Sequence, residues 1–176
     1  MVYFIQPNNS GRKLISSLVS GVGDTAITFS SIPNSYKNLQ IEFSGANTYN
    51  STTLTYALRL EFNGDTNTAN YDHSTFANYG GGLTFGSGGG CSLIASGGTP
   101  TIPFGNSTID IMNYHDDQQK VGLCRGWAAQ INVGICHCIG STRWIVLNTP
   151  ITDITIKSQN SEVLMTSSKA WLYGIN

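Results

Sequence analysis

The sequence predicts an all-β protein, built as an antiparallel sandwich, a jelly roll or a small barrel. Apolar residues alternate without a break along residues 53–65 and end in Asn63-Gly64, the dipeptide that favours the positive φ angles of a tight hairpin turn. Short runs of the same kind recur along the chain with turn residues between them. No segment has a sustained helical period.

The elements follow from this alternation in chain order. Residues 26–29 and 39–43 alternate on either side of the turn at Ser30 to Asn34, and the long strand of residues 53–65 comes next. The Gly-rich stretch from Tyr79 to Gly90 is too poor in side chains to belong to the core. Further strands are expected at residues 108–114, 121–123, 127–133, 135–139, 144–147, 151–157 and 169–173.

Composition indicates one domain with a polar but sparsely charged surface. The chain has 176 residues, of which 40% are hydrophobic and only 11% charged, while Ser, Thr and Asn together number 53. A chain of this length can bury one full core. Hydroxyl and amide groups are desolvated more cheaply than charges, so such a surface suits contact with other proteins or with sugars.

Charge and hydropathy argue against two classes of partner. The net charge is −1 and the nine basic residues are scattered, so we expect no nucleic-acid binding. No apolar run approaches the roughly 20 residues that span a membrane. The apolar run at the start of the chain is too short for a signal peptide, which predicts synthesis in a cytoplasm.

The N-terminal segment differs in character from the rest. Tyr3, Phe4 and Ile5 form a small apolar cluster that Pro7 follows closely. We predict that residues 1–13 form an arm that docks on a neighbour, with these four residues as the contact, and that residues 14–176 form the sandwich domain. The alternative is that the segment is a first edge strand of the same sandwich.

The cysteines have the wrong spacing for a zinc site. In a strand, Cys136 and Cys138 would share one face roughly 7 Å apart, whereas structural zinc sites use cysteine pairs that a turn brings together. We expect buried free thiols that act as small hydrophobes. A disulfide from Cys124 to Cys136 or Cys138 fits adjacent strands, but a cytoplasmic origin disfavours it.

Acidic residues beside histidines are candidates for acid–base chemistry at Asp72-His73 and in residues 113–117. No nucleophile elbow accompanies either pair, and we interpret both as solvated turns. Asp65 and Asn67 begin like a calcium loop, but Ala69 stands at the third ligand position. We therefore predict no enzyme activity, no cofactor and no metal.

Three motifs resemble those of a family of small structural proteins of tailed-phage virions. Residues 28–39 resemble the family's "TFSSIP-x-x-Y-x-x-L" motif, and Phe62 to Asp65 with Asn70-Tyr71 resembles its "FNGD…NY" motif. The C-terminal signature is similar to Trp144, residues 149–154 and residues 172–175. The resemblance covers roughly residues 14–176. The chain departs from the family's pattern in two places, the additional first 13 residues and the unusual Cys136-His137-Cys138 strand.

The resemblance implies a virion protein that decorates or cements the head, or a tail-fibre protein. It implies a jelly roll or related sandwich that assembles as a homo-oligomer, with a trimer favoured. The expected function is to bind the major capsid protein on the capsid exterior and to stabilise the shell, with the apolar N-terminal residues as anchor.

Two rival functions differ in their expected surfaces. A receptor-binding tail tip would hold host glycans on exposed rings, for which Tyr49, Tyr71 and Tyr79 are the candidates. A depolymerase would need a pair of carboxylates, and none is recognisable among the 10 acidic residues.

Overall fold

The computed structural model of this protein describes residues 11–46, 56–79, 82–88, 93–95, 105–130, 134–158, 163–164 and 166–176. A single 3₁₀ turn, Thr68–Asn70, lies among the strands of this described part. Within it the strands are β1 Arg12–Val19, β2 Ala26–Phe29, β3 Asn38–Gly45, β4 Tyr56–Phe62, β5 Tyr71–Tyr79, β6 Gly82–Gly88, β7 Leu93–Ala95, β8 Gly105–Met112, β9 Lys120–Gln130, β10 Gly134–Trp144, β11 Ile154–Ser158 and β12 Lys169–Ile175.

The strands form two antiparallel sheets. The large sheet has eight strands in the order β1-β12-β3-β8-β9-β10-β5-β6, and the small sheet has four in the order β2-β11-β4-β7. The predicted all-β antiparallel sandwich is confirmed. Strands β1 to β4 alternate between the sheets, as do β11 and β12, which is compatible with a jelly roll. That finer assignment stays a prediction.

The core lies between the two sheets and follows from the alternation. In β3 every second residue is buried, so Leu39, Ile41 and Phe43 face inward while the residues between them face the other side. Ile154 and Leu60 of the small sheet belong to the same buried cluster. Fully burying a side chain of this size stabilises the fold by about 1.5–3 kcal/mol, so this cluster holds the sheets together.

The Asn63-Gly64 turn forms as expected, but it does not join the two strands of a hairpin. Both residues have positive φ, 52° and 69°, and Asp65 N donates to Phe62 O over 2.9 Å, so the turn itself forms as its residues predict. However, β4 pairs with β11 and β7, whereas β5 pairs with β10 and β6. The turn therefore carries the chain from one sheet to the other instead of joining neighbouring strands.

The large sheet contains strands that the sequence did not predict. Residues 71–79 and 82–88 form β5 and β6, so part of the Gly-rich stretch is edge strand. The runs at 121–123 and 127–133 belong to one strand, β9, over the residues described. Glycine weakens the strand signal because it has no side chain to alternate, yet its backbone pairs as well as any other.

The described part of the predicted N-terminal arm belongs to the sheet. Arg12 and Lys13 lie in β1 and pair with Ile175 and Gly174 of β12. The sandwich therefore begins at least two residues before the expected boundary at residue 14. No helix among the described residues is long and apolar enough to span a membrane.

Candidate functional site

The three sequence motifs, in residues 28–39, 62–71 and 144–175, contact one another in the folded protein. The Asn63 side chain accepts hydrogen bonds from Thr152 N at 2.8 Å and Asp153 N at 3.1 Å, and its amide donates to Pro150 O at 2.8 Å. The turn of the FNGD motif is thus fastened to the C-terminal signature, 87 to 90 residues away along the chain. Asn63 therefore has a structural role.

Asp65 is the centre of a second set of contacts. Its carboxylate accepts from Trp144 Nε1 at 2.8 Å, from Asn70 Nδ2 at 2.9 Å and from Asn67 N at 3.0 Å. Partial burial raises the pKa of Asp65, but these three hydrogen bonds outweigh it and hold the pKa below its ordinary value. The acidic residue that resembled a calcium ligand is therefore occupied by the protein's own donors.

Tyr71 is buried and is not the exposed glycan platform that the sequence predicted. Only 6% of it is exposed, and its hydroxyl accepts from Phe62 N at 3.0 Å and donates to Asp65 O at 2.9 Å. Burial and the nearby acidic groups raise the pKa of Tyr71 to about 12. Tyr49 lies outside the described residues, as does the side chain of Tyr79.

The first and last motifs are joined by a close ring contact. A Cβ on Gly174 would lie 2.2 Å from Cγ of Tyr36, so only glycine lets the ring lie on this strand. Ile32 N donates to Thr152 O at 2.9 Å. We call Ile32, Tyr36, Asn63, Asp65, Tyr71, Trp144, Thr152 and Gly174 the motif cluster. Its members bind one another, so its geometry is that of a structural brace.

Two cysteines on neighbouring strands, Cys124 of β9 and Cys138 of β10, form a buried thiol pair. Cys124 and Cys138 are free and buried, and a hydrogen bond between them, with burial, raises the pKa of the Cys138 thiol far above its ordinary value. The expected buried free thiols are confirmed at these two positions. His137 is exposed on the opposite face from Cys138. The described residues contain no group of three metal-ligating side chains.

The two acid–histidine pairs have different surroundings. His115 and Asp116 lie in the turn after β8, with Nε2 and Oδ1 3.4 Å apart, as the interpretation of residues 113–117 as a turn predicts. Asp72 and His73 do not form a turn; both lie in β5, where Asp72 pairs with Arg143 on the surface. The turn interpretation is therefore wrong for this pair, because the strand that contains it was not recognised.

Tyr3, Phe4, Ile5 and Pro7 lie outside the described residues, so their predicted docking stays a prediction.

The outer face of the large sheet carries an apolar patch that the sequence analysis missed. Ile139, Phe76 and Phe85 are opposite one another on β10, β5 and β6, and their exposed fractions are 58%, 40% and 81%. The Phe76 and Phe85 rings meet edge to face with centroids 5.3 Å apart. Leu123 of β9 lies diagonally beside Ile139 and is also exposed. We call these four residues the apolar patch.

Beside the apolar patch, the same face forms a groove of about 580 Å³ across β12, β3, β8, β9 and β10. Its lining includes two tryptophans, two charged residues, His137 and small polar residues, and at its border with the patch Ile139. Register places Trp171, Glu42, Thr108 and Arg125 in one row, and Asn106 and Trp127 in the next. We call this feature the polar–aromatic groove, lined by Trp171, Glu42, Thr108, Arg125, Asn106 and Trp127.

A signal for this face was present in the sequence. In β9 the inward positions include Cys124 and Ala128, and three of the alternate, outward positions are also apolar, at Val121, Leu123 and Trp127, with Arg125 as the charged exception. A strand that is apolar on both faces is either covered on both or exposes one apolar face. Here the second face lies open among the described residues. Comparison with known proteins returned no matching protein-family model, curated protein or solved structure.

Proposed function

We propose that this protein is a non-enzymatic structural component of a tailed-phage virion, which decorates or cements the head by binding the major capsid protein. The motif resemblance names the class of protein. The observation that carries the proposal is the apolar patch, because a soluble monomer rarely exposes a contiguous apolar surface unless that surface meets a partner. Strand pairing within the large sheet fixes the relative positions of the patch's four residues.

The apolar patch has the composition of an interface core. Phenylalanine, isoleucine and leucine are contributed there by four neighbouring strands. The ion pair of Arg125 with Asp110 borders the patch on the side of the groove, where Arg125 is opposite Ile139 and Asp110 is opposite Leu123. Burying such residues against a partner supplies affinity, and many copies on a lattice multiply it through effective concentration. Binding stabilises the shell to the extent that it favours the expanded lattice over other states.

The decisive experiment is the number of copies per purified particle, measured by quantitative mass spectrometry against the major capsid protein. A ratio near one to one, or a simple fraction such as one to three, supports a lattice-wide role and the favoured trimer. A few to a few dozen copies would overturn the head role and place the protein in the tail.

A binding assay on stripped capsids tests the surface itself. Phe85→Ser should lower occupancy on capsids that lack the protein, because the most exposed ring of the apolar patch is removed. Val22→Ser is a matched control, since Val22 is 90% exposed in the turn after β1 and lies away from the patch. Equal occupancy for wild type and Phe85→Ser would mean that the apolar patch is not the docking surface.

A further inference from the structure

We infer that the polar–aromatic groove is a binding site for an uncharged oligosaccharide chain. This goes beyond the proposed head role, since it concerns the isolated protein and a surface next to the apolar patch. It also differs in position from the tyrosine-bearing loops that the sequence offered for glycans.

The aromatic residues define the two ends of the site. Trp127 is 42% exposed, and Trp171 is half-buried three strands away, which separates their backbones by about 14 Å across the sheet. An indole face packs against the C–H face of a sugar ring while the ring's hydroxyls stay free to hydrogen-bond. Two such rings at this separation suit several linked sugars better than one.

Polar side chains lie between the tryptophans. Asn106 is directly opposite Trp127, and Thr108 is directly opposite Arg125. Within the described part of the chain, the side chains of Asn106 and Thr108 make no hydrogen bond to another residue. Their amide and hydroxyl groups both donate and accept, which matches the dual character of sugar hydroxyls.

The charges at the groove are balanced, which selects an uncharged ligand. Glu42 pairs with Arg12 at 2.7 Å and Arg125 lies 3.8 Å from Asp110, so neither side chain presents an uncompensated charge. An anionic sugar would meet Glu42 as well as Arg125. A purely apolar partner would have to desolvate both ion pairs, at a cost that a hydroxyl-rich ligand avoids by hydrogen-bonding to them.

One wall of the groove is held in place before any ligand arrives. Glu42 accepts a hydrogen bond from Tyr173 OH at 3.3 Å as well as its contact with Arg12, whose guanidinium lies 3.5 Å from the Tyr173 ring centroid. Side chains that are already ordered lose less entropy on binding. The volume of the groove falls within the roughly 300–1,000 Å³ typical of ligand sites.

The test uses purified full-length protein and a panel of neutral hexasaccharides: cellohexaose, maltohexaose, laminarihexaose, chitohexaose and mannohexaose. Titration calorimetry and tryptophan fluorescence should show at least one of them binding with a Kd below about 1 mM. Trp127→Ala should weaken that binding about tenfold or more. Phe85→Ser, in the apolar patch, should leave it unchanged, and glucose should bind far more weakly than the hexasaccharide.

Three results would overturn the inference. The first is that no hexasaccharide in the panel binds. The second is that Trp127→Ala binds as well as wild type while circular dichroism shows both folded. The third is that Trp127→Ala dissolves an oligomer seen in sedimentation velocity and no sugar binds, which would make the groove an interface between copies. The copy-number experiment is independent, so the head role and the sugar site fail separately.

Discussion

The motif cluster and the outer face of the large sheet differ in where their side chains find partners. The polar side chains of the motif cluster bind other residues of the same protein, whereas the outer face exposes apolar side chains to solvent. In the motif cluster, Asn63 holds three hydrogen-bond partners from the distant residues 150–153. Asp65 also holds three, of which Trp144 is distant in sequence while the other two lie within five residues. On the outer face, Phe85 and Ile139 are more than half exposed. The residues that stand out in the sequence therefore build the scaffold, whereas the surface suited to a partner carries no motif.

This difference between the two regions shows which property of the protein the motif resemblance predicts. Asn63, Asp65 and Trp144 fasten turns to strands, and any protein that uses this scaffold needs such contacts whatever it binds. The side chains of the outer face do not make these scaffold contacts and contribute little to the core, so they can vary with the partner. The motifs consequently predict the fold more directly than the partner.

The largest expected effect contrasts two tryptophans. Trp144→Ala removes a side chain that is 2% exposed and packs 5.6 Å, centroid to centroid, from Phe62, so the free energy of unfolding should fall by about 3–5 kcal/mol. Trp127→Ala on the outer face should cost about 1 kcal/mol or less. Urea unfolding monitored by circular dichroism measures both. Similar losses would mean that the two regions are not energetically distinct.

The next effect contrasts two aspartates. Asp65→Ala leaves the indole N–H of buried Trp144 without its acceptor, which should lower the free energy of unfolding by about 1–3 kcal/mol. Asp72→Ala breaks a pair with Arg143 in which both side chains are about half exposed, and should cost about 1 kcal/mol or less. The same urea titration compares them. A larger loss for Asp72→Ala would contradict the assignment of Asp65 as the centre of the brace.

A smaller effect appears in the dependence of stability on pH. Because the pKa of Tyr71 is raised from 10.0 to about 12, the unfolded chain loses this proton first, and stability falls as pH rises from 10 towards 12. Below pH 10 the contribution is fully present. Tyr71→Phe should therefore show a shallower loss across this window, measured as the urea midpoint at half-unit steps of pH. An unchanged slope would mean that Tyr71 titrates alike in the folded and unfolded chain.

The sequence predicted strands with strict alternation better than strands that contain turn-like or glycine-rich runs. Residues 26–29 were expected as a strand and form β2 with the same bounds, because their alternation is strict and a turn follows. β5 and β6 were missed, since Asp72-His73 resembles a turn and β6 contains three glycines. Alternation reports a strand only where one face is polar and the other apolar.

The candidate surfaces escaped prediction for a related reason. The groove lies across five strands that the chain visits out of order, with Trp171 on β12 beside Glu42 on β3. Their neighbourhood depends on the sheet order, which local periodicity does not report. The runs in β9 and β10 were predicted as strands, but the exposure of their outer face was not, because a sequence pattern does not show which of two apolar faces is covered.

The smallest expected change in stability belongs to the apolar patch and sharpens the comparison most. Phe85→Ser removes a ring that is 81% exposed, so the free energy of unfolding should change by about 0.5 kcal/mol or less. The same substitution removes the edge-to-face partner of Phe76, so this estimate includes that contact. Urea unfolding at low protein concentration isolates the monomer from any assembly. A loss as large as that of Asp65→Ala would mean that the patch supports the fold, and its exposure would then no longer argue for a partner.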